Sequence, residues 1–229
     1  MFNFFKTKSE LIDSKTLKEI LNEIISPRLK MKGFRWDNNF TWFSDNQNSI
    51  RHILRYRKLK GGQATLNWGI CLDFVPTISG QNLTFNRTEK NITLHLFEWT
   101  DEYSSSFFGG QLEGGISTEW GKSEAKKSIS ILFDKYEDKI FNWFDKTKNL
   151  EDVLQVVNFQ ILTGGSYQFH GPNPSYILPF LQSKTGQMEQ AILTLDKYFN
   201  LTEDSKIKEK LINVIKKNGT QHGFVASGG

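Results

Sequence analysis

Gly33-Phe34-Arg35-Trp36, then Phe40-Thr41-Trp42-Phe43, then the run Ser49–Leu59, the break Lys60-Gly61-Gly62 and the run Gln63–Phe74 decide how this chain folds. From Ala64 the even positions are Ala64, Leu66, Trp68, Ile70, Leu72 and Phe74, whereas Thr65, Asn67, Gly69, Cys71 and Asp73 alternate with them. A period of two predicts strands with one apolar face and one mostly polar face. In the preceding run Ile50, His52, Leu54 and Tyr56 share one parity, and Arg51, Ile53, Arg55 and Arg57 share the other. Joining like faces requires directly opposed residues to sum to an even number, because a one-residue slip inverts every side chain. A loop of Lys60-Gly61-Gly62 meets that condition by pairing Leu59 with Gln63, with a glycine free to take the left-handed position. Arg57 then opposes Thr65, Arg55 opposes Asn67 and Arg51 opposes Cys71.

Outward from this meander, the spacing of Leu17, Ile20, Leu21, Ile24, Ile25 and Leu29 predicts an amphipathic helix to about Lys32. Ser14 is its expected N-cap, Pro27 should kink or split it near Ser26, and Gly33 should end it. Residues 76–90 read as a loop or weak edge hairpin. Residues 91–99 read as a strand with Ile92, Leu94 and Leu96 on one face and Thr93, His95, Phe97 and Trp99 on the other. Residues 101–115, with a serine run and paired glycines, read as a mobile loop, and 116–120 as a short strand. Helices are predicted from Ser123 to about Lys146, from Asn149 to Gly164, and over 175–184, 187–199 and 204–217, with a turn-rich hinge at 168–174. The tail from Asn218 reads as disordered. The fold class is therefore α+β: an antiparallel β-meander sheet of four to six strands packed by helices, with a helical C-terminal portion. The corresponding divisions are 1–148 for the sheet domain, 149–218 for the helices docked on it, and 219–229 for the tail.

The Gly33-Phe34 pair after an amphipathic helix, the aromatic strand at 40–43 and the strand Leu66-Asn67-Trp68-Gly69-Ile70 resemble a bacterial family catalogued as a domain of unknown function, family 4304. The resemblance covers residues 15–155. Members commonly carry a glutamine near the end of the first long strand, where this chain has Arg55, Tyr56 and Arg57. It implies a fold and supplies no catalytic residues.

Composition narrows the function classes. A 229-residue chain with 19 Phe and 6 Trp can bury an aromatic-rich core. Its single cysteine, Cys71, excludes an intramolecular disulfide and fits a reducing compartment. No stretch approaches a membrane span, and the first residues lack the apolar run of a signal peptide, so a cytoplasmic protein is expected. The net charge of +4 is uneven: residues 1–62 hold 13 Lys/Arg against 6 Asp/Glu. Such a basic front half, with Trp36, Trp42 and Tyr56 as stacking surfaces, suits nucleic acid or an acidic partner. Alternatively, its lysines are simply the solvated face of a helix.

Groups for catalysis are sparse. His52, His95, His170 and His222 show no ligand spacing with one another or with Cys71, so neither a metal nor another cofactor is expected. Phosphate-loop and nucleophile-elbow motifs are absent from the sequence. One constellation remains: Arg51, Arg55, Arg57, Asn67 and Asp73 on the polar sheet face, joined by His95 if the next strand is adjacent. Arginine forks suit carboxylates and phosphates, so this set is a candidate anion or partner site. The competing reading is a solvent-facing sheet with ordinary cross-strand pairs, or a polar layer covered on the side of Phe97 and Trp99. The sequence points to a non-enzymatic protein-interaction module, a toxin-immunity protein being one instance, with anion or nucleic-acid binding as the alternative.

Overall fold

The computed structural model describes residues 11–59, 62–85, 88, 93–101, 116–117, 121–163, 173–199 and 205–220. Most of the loop expected at 101–115, most of the hinge expected at 168–174, and the terminal Gly228-Gly229 lie outside the described residues. The class is α+β, as the periodicity predicts. Five strands run in the order β1-β2-β3-β4-β7, with β1 at Arg35–Trp36, β2 at Thr41–Phe43, β3 at Ile50–Lys58, β4 at Gln63–Leu72 and β7 at Leu96–Trp99. A short β8, Ile116–Ser117, adds to the start of β4, and β5 (Pro76–Ser79) with β6 (Asn82–Phe85) forms a separate antiparallel hairpin.

The β3–β4 register follows from side-chain parity. Leu59 N–H donates to Gln63 O at 2.8 Å, and at the other end Asp73 N–H donates to Ser49 O at 3.3 Å. Both pairs have the same sum, so one uninterrupted register carries Leu54 opposite Trp68, and both of these are fully buried. Gly62 takes the left-handed conformation, with φ +72°.

The chain divides into two compact units. The first comprises residues 1–45, 53–68 and 98–141. Within it, α1 (Ser14–Ile24) and α2 (Ser26–Met31) replace the single helix of the hydrophobic pattern, because Pro27 has no N–H to continue the ladder and instead sits in the first turn of α2. The N-cap is Asp13 rather than the expected Ser14: its Oδ1 accepts from Thr16 N–H at 2.7 Å, and a carboxylate serves as well there as a hydroxyl. At the other end Phe34 N–H reaches Leu29 O and Gly33 N–H reaches Lys30 O, both at 3.0 Å, closing a Schellman turn with Gly33 at φ +82°. The long α3, Lys122–Asp145, contributes Ile129, Phe133 and Tyr136 to the buried set. Trp42 donates through Nε1 to Ser26 Oγ at 2.9 Å, and Trp68 packs on Tyr136 with ring centroids 6.0 Å apart.

The second unit comprises residues 46–52, 69–97 and 142–229. Its core joins Ile50, Ile70, Leu72, Phe74 and Leu96 from the strands to helices α4 (Leu150–Thr163), α5 (Pro174–Lys184), α6 (Met188–Phe199) and α7 (Ser205–Thr220). Val153, Ile177, Phe180, Leu195, Leu211 and Ile215 supply the helical side. Two polar contacts fix the packing: Tyr176 Oη donates to Pro76 O at 2.7 Å, and Ser183 Oγ donates to Ile215 O at 2.6 Å.

Two expectations are corrected. Helix α7 does not stop at Lys217 but runs through Asn218 and Gly219 to Thr220. Asn218 is buried and donates to Phe74 O at 3.4 Å, and Gly219 is packed so closely that a Cβ there would fall 2.1 Å from Met188 Cε. The strand expected from residue 91 begins only at Leu96, and Leu96, Phe97 and Trp99 are all buried. His95 N–H donates to Ile70 O and Thr100 N–H to Leu66 O. Five residue steps on one strand thus answer four on the other, which is a β-bulge and breaks the parity.

Candidate functional site

The six polar residues singled out by register are not an open face. Arg51, Asn67 and His95 are buried, Arg55 and Asp73 are half-buried, and Arg57 is exposed. Thr65 and Cys71 are buried too, so β4 is covered on both sides and the solvent-facing reading fails. In the first unit, Arg57 lays its guanidinium over the Trp99 ring, 5.1 Å from the centroid, while Thr65 Oγ1 and Thr100 Oγ1 share a hydrogen bond of 2.7 Å. In the second unit, Asp73 accepts from Asn46 Nδ2 at 2.8 Å, and Arg51 is only 8% exposed with no acceptor for Nε or Nη1.

Both described histidines are structural. His95 Nδ1 accepts from Leu72 N–H at 2.9 Å, which fixes the proton on Nε2, and complete burial pulls its pKa down to about 4. His52 Nε2 lies 3.1 Å from Thr147 O and 3.0 Å from Thr147 Oγ1, with its ring against Phe144, and burial likewise lowers it to about 4. Neither carries a charge at neutral pH. Among the described residues no group of three His, Cys, Asp or Glu is placed to hold a metal ion.

A concave surface lies elsewhere in the second unit. A cleft of about 470 Å³ is lined by Ser49, Asp73, Lys184, Asn213, Lys217 and Asn218, with Phe74, Phe85 and Val214 as its apolar part. Each wall has a local cause. Lys184 ends α5, where an ammonium offsets the exposed carbonyls, and its Nζ stands 5.6 Å from the Phe74 ring centroid. Lys217 and Asn213 come from successive turns of the outer side of α7, whose inner side carries Leu211 and Ile215 into the core. Ser49 arrives through a two-residue turn: Gln47 and Ile50 exchange both backbone hydrogen bonds at 2.9 Å, with Asn48 at φ +52° and Ser49 at φ +67°. Two successive left-handed residues make a type I′ turn, whose second position favours glycine. A serine there holds backbone strain at the rim of the cleft. Ser49→Gly should therefore raise stability by about 0.5–1 kcal/mol, read as a small rise in Tm.

A second cleft, of about 420 Å³, lies in the first unit between α1 and the β1–β2 turn, bounded by Lys15, Lys18, Asn22, Trp36 and Asn38. Trp36 stacks on Trp42 with centroids 6.1 Å apart, and Lys18 Nζ sits 5.5 Å from the Phe40 ring centroid. Two of the three expected stacking surfaces, Trp42 and Tyr56, are buried. Two arginines of this half are engaged inside the unit: Arg28 pairs with Asp134 and Glu137, and Arg35 with Asp45.

Comparison with protein-family models, curated proteins and solved structures finds no match. No described helix is long and apolar enough to cross a membrane.

Sequence reasoning missed Lys184, Asn213, Lys217 and Asn218. The signal was present for the lysines, which fall on the polar sides of amphipathic helices, but every such helix has a polar side. Asn218 was obscured by Gly219, which looks like a helix terminator and is instead a close-packing residue.

Proposed function

We propose that this chain is a non-enzymatic protein-interaction module, and that its partner places a peptide segment with an acidic side chain in the cleft of the second unit. The observation that supports this is the cleft's mixture of groups. Lys184 and Lys217 suit a carboxylate, Asn213, Asn218 and Ser49 suit a peptide backbone, and Phe74, Phe85 and Val214 suit a neighbouring apolar side chain. The two histidines among the described residues, His52 and His95, are engaged in holding strands and helices, which favours binding over turnover there. Toxin immunity, in which binding alone neutralises the partner, is one instance of this reading. Membership of the domain-of-unknown-function family belongs to the same proposal. It is supported by the physical roles of Gly33, which needs a left-handed φ, and Gly69, which has no space for a side chain.

The test is the double variant Lys184→Glu with Lys217→Glu. Each lost charge-assisted contact is worth about 1.5–3 kcal/mol, so partner affinity should fall by well over tenfold. Lys217 is exposed, and reversing the half-buried Lys184 at the end of α5 should cost about 1 kcal/mol, so the fold should survive, which a Tm of the same variant checks. A protein captured from the native host by the wild type and equally by the double variant would overturn the reading. Immunity adds a requirement: the captured partner must inhibit growth when produced without this chain.

A further inference from the structure

The cleft of the first unit carries a chemistry of its own. Lys15, Lys18, Glu19 and Asn22 recur on α1 at i, i+3, i+4 and i+7, one stripe on the side turned away from buried Leu17, Ile20 and Leu21. With Trp36 and Asn38 they line about 420 Å³, which lies within the size range of small-molecule sites, about 300–1,000 Å³. The lining sets two ammonium groups against the single carboxylate of Glu19. Neither Lys15 nor Lys18 forms an ion pair among the described residues, whereas Arg28, Arg35 and Lys126 of the same unit each have one. Trp36 supplies the aromatic wall: it is stacked on Trp42 at 6.1 Å, yet the ring is only half-buried and lines the cleft. The turn that presents Asn38 is locked by Asp37, whose Oδ1 accepts from Asn39 N–H at 2.7 Å and Thr41 N–H at 3.1 Å. Asn38 and Phe40 are thereby held left-handed, at φ +59° and +67°. An aromatic residue rarely takes that conformation, and such strain gathers at ligand sites.

We propose that this cleft binds a nucleotide, its base against Trp36 and its phosphate on Lys15 and Lys18, supplied by single-stranded nucleic acid or as a free nucleotide. Stacking on an indole accepts any base, ammonium groups take phosphate as point charges, and the amides of Asn22 and Asn38 can pair with a base edge. A neutral sugar would leave the lysines unanswered, and an acidic peptide has no planar group for the indole. The first 62 residues, with 13 Lys/Arg against 6 Asp/Glu, add long-range attraction for a polyanion. This site is independent of the peptide reading of the other cleft.

The experiment reads the fluorescence anisotropy of a short labelled oligothymidylate over a series of salt concentrations, with AMP and polyglutamate as competitors. The wild type should bind, more weakly as salt rises. Lys15→Gln with Lys18→Gln should lower affinity about tenfold or more and reduce the salt slope by about 1.4, two phosphates at about 0.7 each. Trp36→Leu keeps an apolar side chain against Trp42; it should lower affinity about fivefold or more and leave the salt slope unchanged. Lys184→Glu with Lys217→Glu should bind as the wild type does. Displacement by AMP assigns a free nucleotide, and displacement by unlabelled strand alone assigns nucleic acid. A strand carrying 5-bromouracil, irradiated on the wild type, should crosslink at Trp36, which decides the matter should Trp36→Leu fail to fold. The proposal is overturned if the wild type binds neither strand nor AMP at low salt, or if a folded Trp36→Leu binds like the wild type. Crosslinks confined to other residues, or polyglutamate competing as well as the strand, overturn it too.

Discussion

Gly69→Ala should leave little folded protein. Built on the Gly69 backbone, a Cβ falls 2.1 Å from Leu96 O, 2.7 Å from Phe97 Cβ and 2.9 Å from Phe97 Cα. Two of those atoms are backbone, on the bulged segment that enters β7, so no flexible side chain can move aside. Relief requires separating β7 from β4 where His95 N–H meets Ile70 O at 2.8 Å. That would also disturb the bond from Leu72 N–H to His95 Nδ1. Overpacking in a well-filled site costs about 1–3 kcal/mol when side chains can adjust, and a backbone obstacle in a central strand should exceed that range. The contrasting variant is Gly186→Ala, at φ +83° with no atom within 4 Å, which should cost only about 1 kcal/mol. Urea titration of the two side by side is decisive: if Gly69→Ala unfolds at a midpoint equal to or above that of Gly186→Ala, the tight crossing is not what requires glycine.

Gly69 also shows where sequence reading succeeds and where it stops. The strict alternation from Ala64 to Phe74 identifies β4, and parity alone gives its register with β3, because a one-residue slip would turn Leu66, Trp68 and Ile70 away from the face that carries Leu54. Alternation cannot say whether the second face meets water, since Thr65, Asn67 and Cys71 read the same on an open sheet as in a covered layer, and here they are buried. Nor can it anticipate a bulge: one extra residue between His95 and Thr100 shifts the facing of everything after it. The helices were legible for the same reason as β4, a repeating apolar stripe, and Pro27 and Gly33 marked their ends by backbone chemistry. The cleft was not legible, because its lining comes from five separate stretches, and only the packing of α5 and α7 against the strands of the second unit gathers them. Arg51 is an intermediate case. Its strand and register were readable, whereas its unpartnered burial depends on everything laid over it.

Acid should destabilise this protein from about pH 6.5 downward, before most of its carboxylates are protonated, and His52 with His95 should account for most of the loss above pH 4. Both have folded-state pKa values lowered from 6.5 to about 4, with burial as the first cause. The unfolded chain takes up these protons near pH 6.5, whereas the folded protein resists them until about pH 4. Between those limits the unfolded state holds more protons, so stability is full above pH 6.5 and falls as pH drops towards 4. Each histidine contributes roughly 1.4 kcal/mol per pH unit over that window, about 3 kcal/mol in all, and the pair about 6 kcal/mol. That is comparable with the whole stability of many domains, about 5–15 kcal/mol. The geometry agrees with the direction: charging His95 would put a proton on Nδ1, where Leu72 N–H already donates, and would break that bond inside the core. The double variant His52→Gln with His95→Asn keeps an amide nitrogen facing Thr147 and an amide oxygen facing Leu72 N–H, but cannot titrate. Urea midpoints measured from pH 7 to pH 4 should fall steeply for the wild type and only gently for this variant; parallel curves would assign the acid sensitivity to the carboxylates instead.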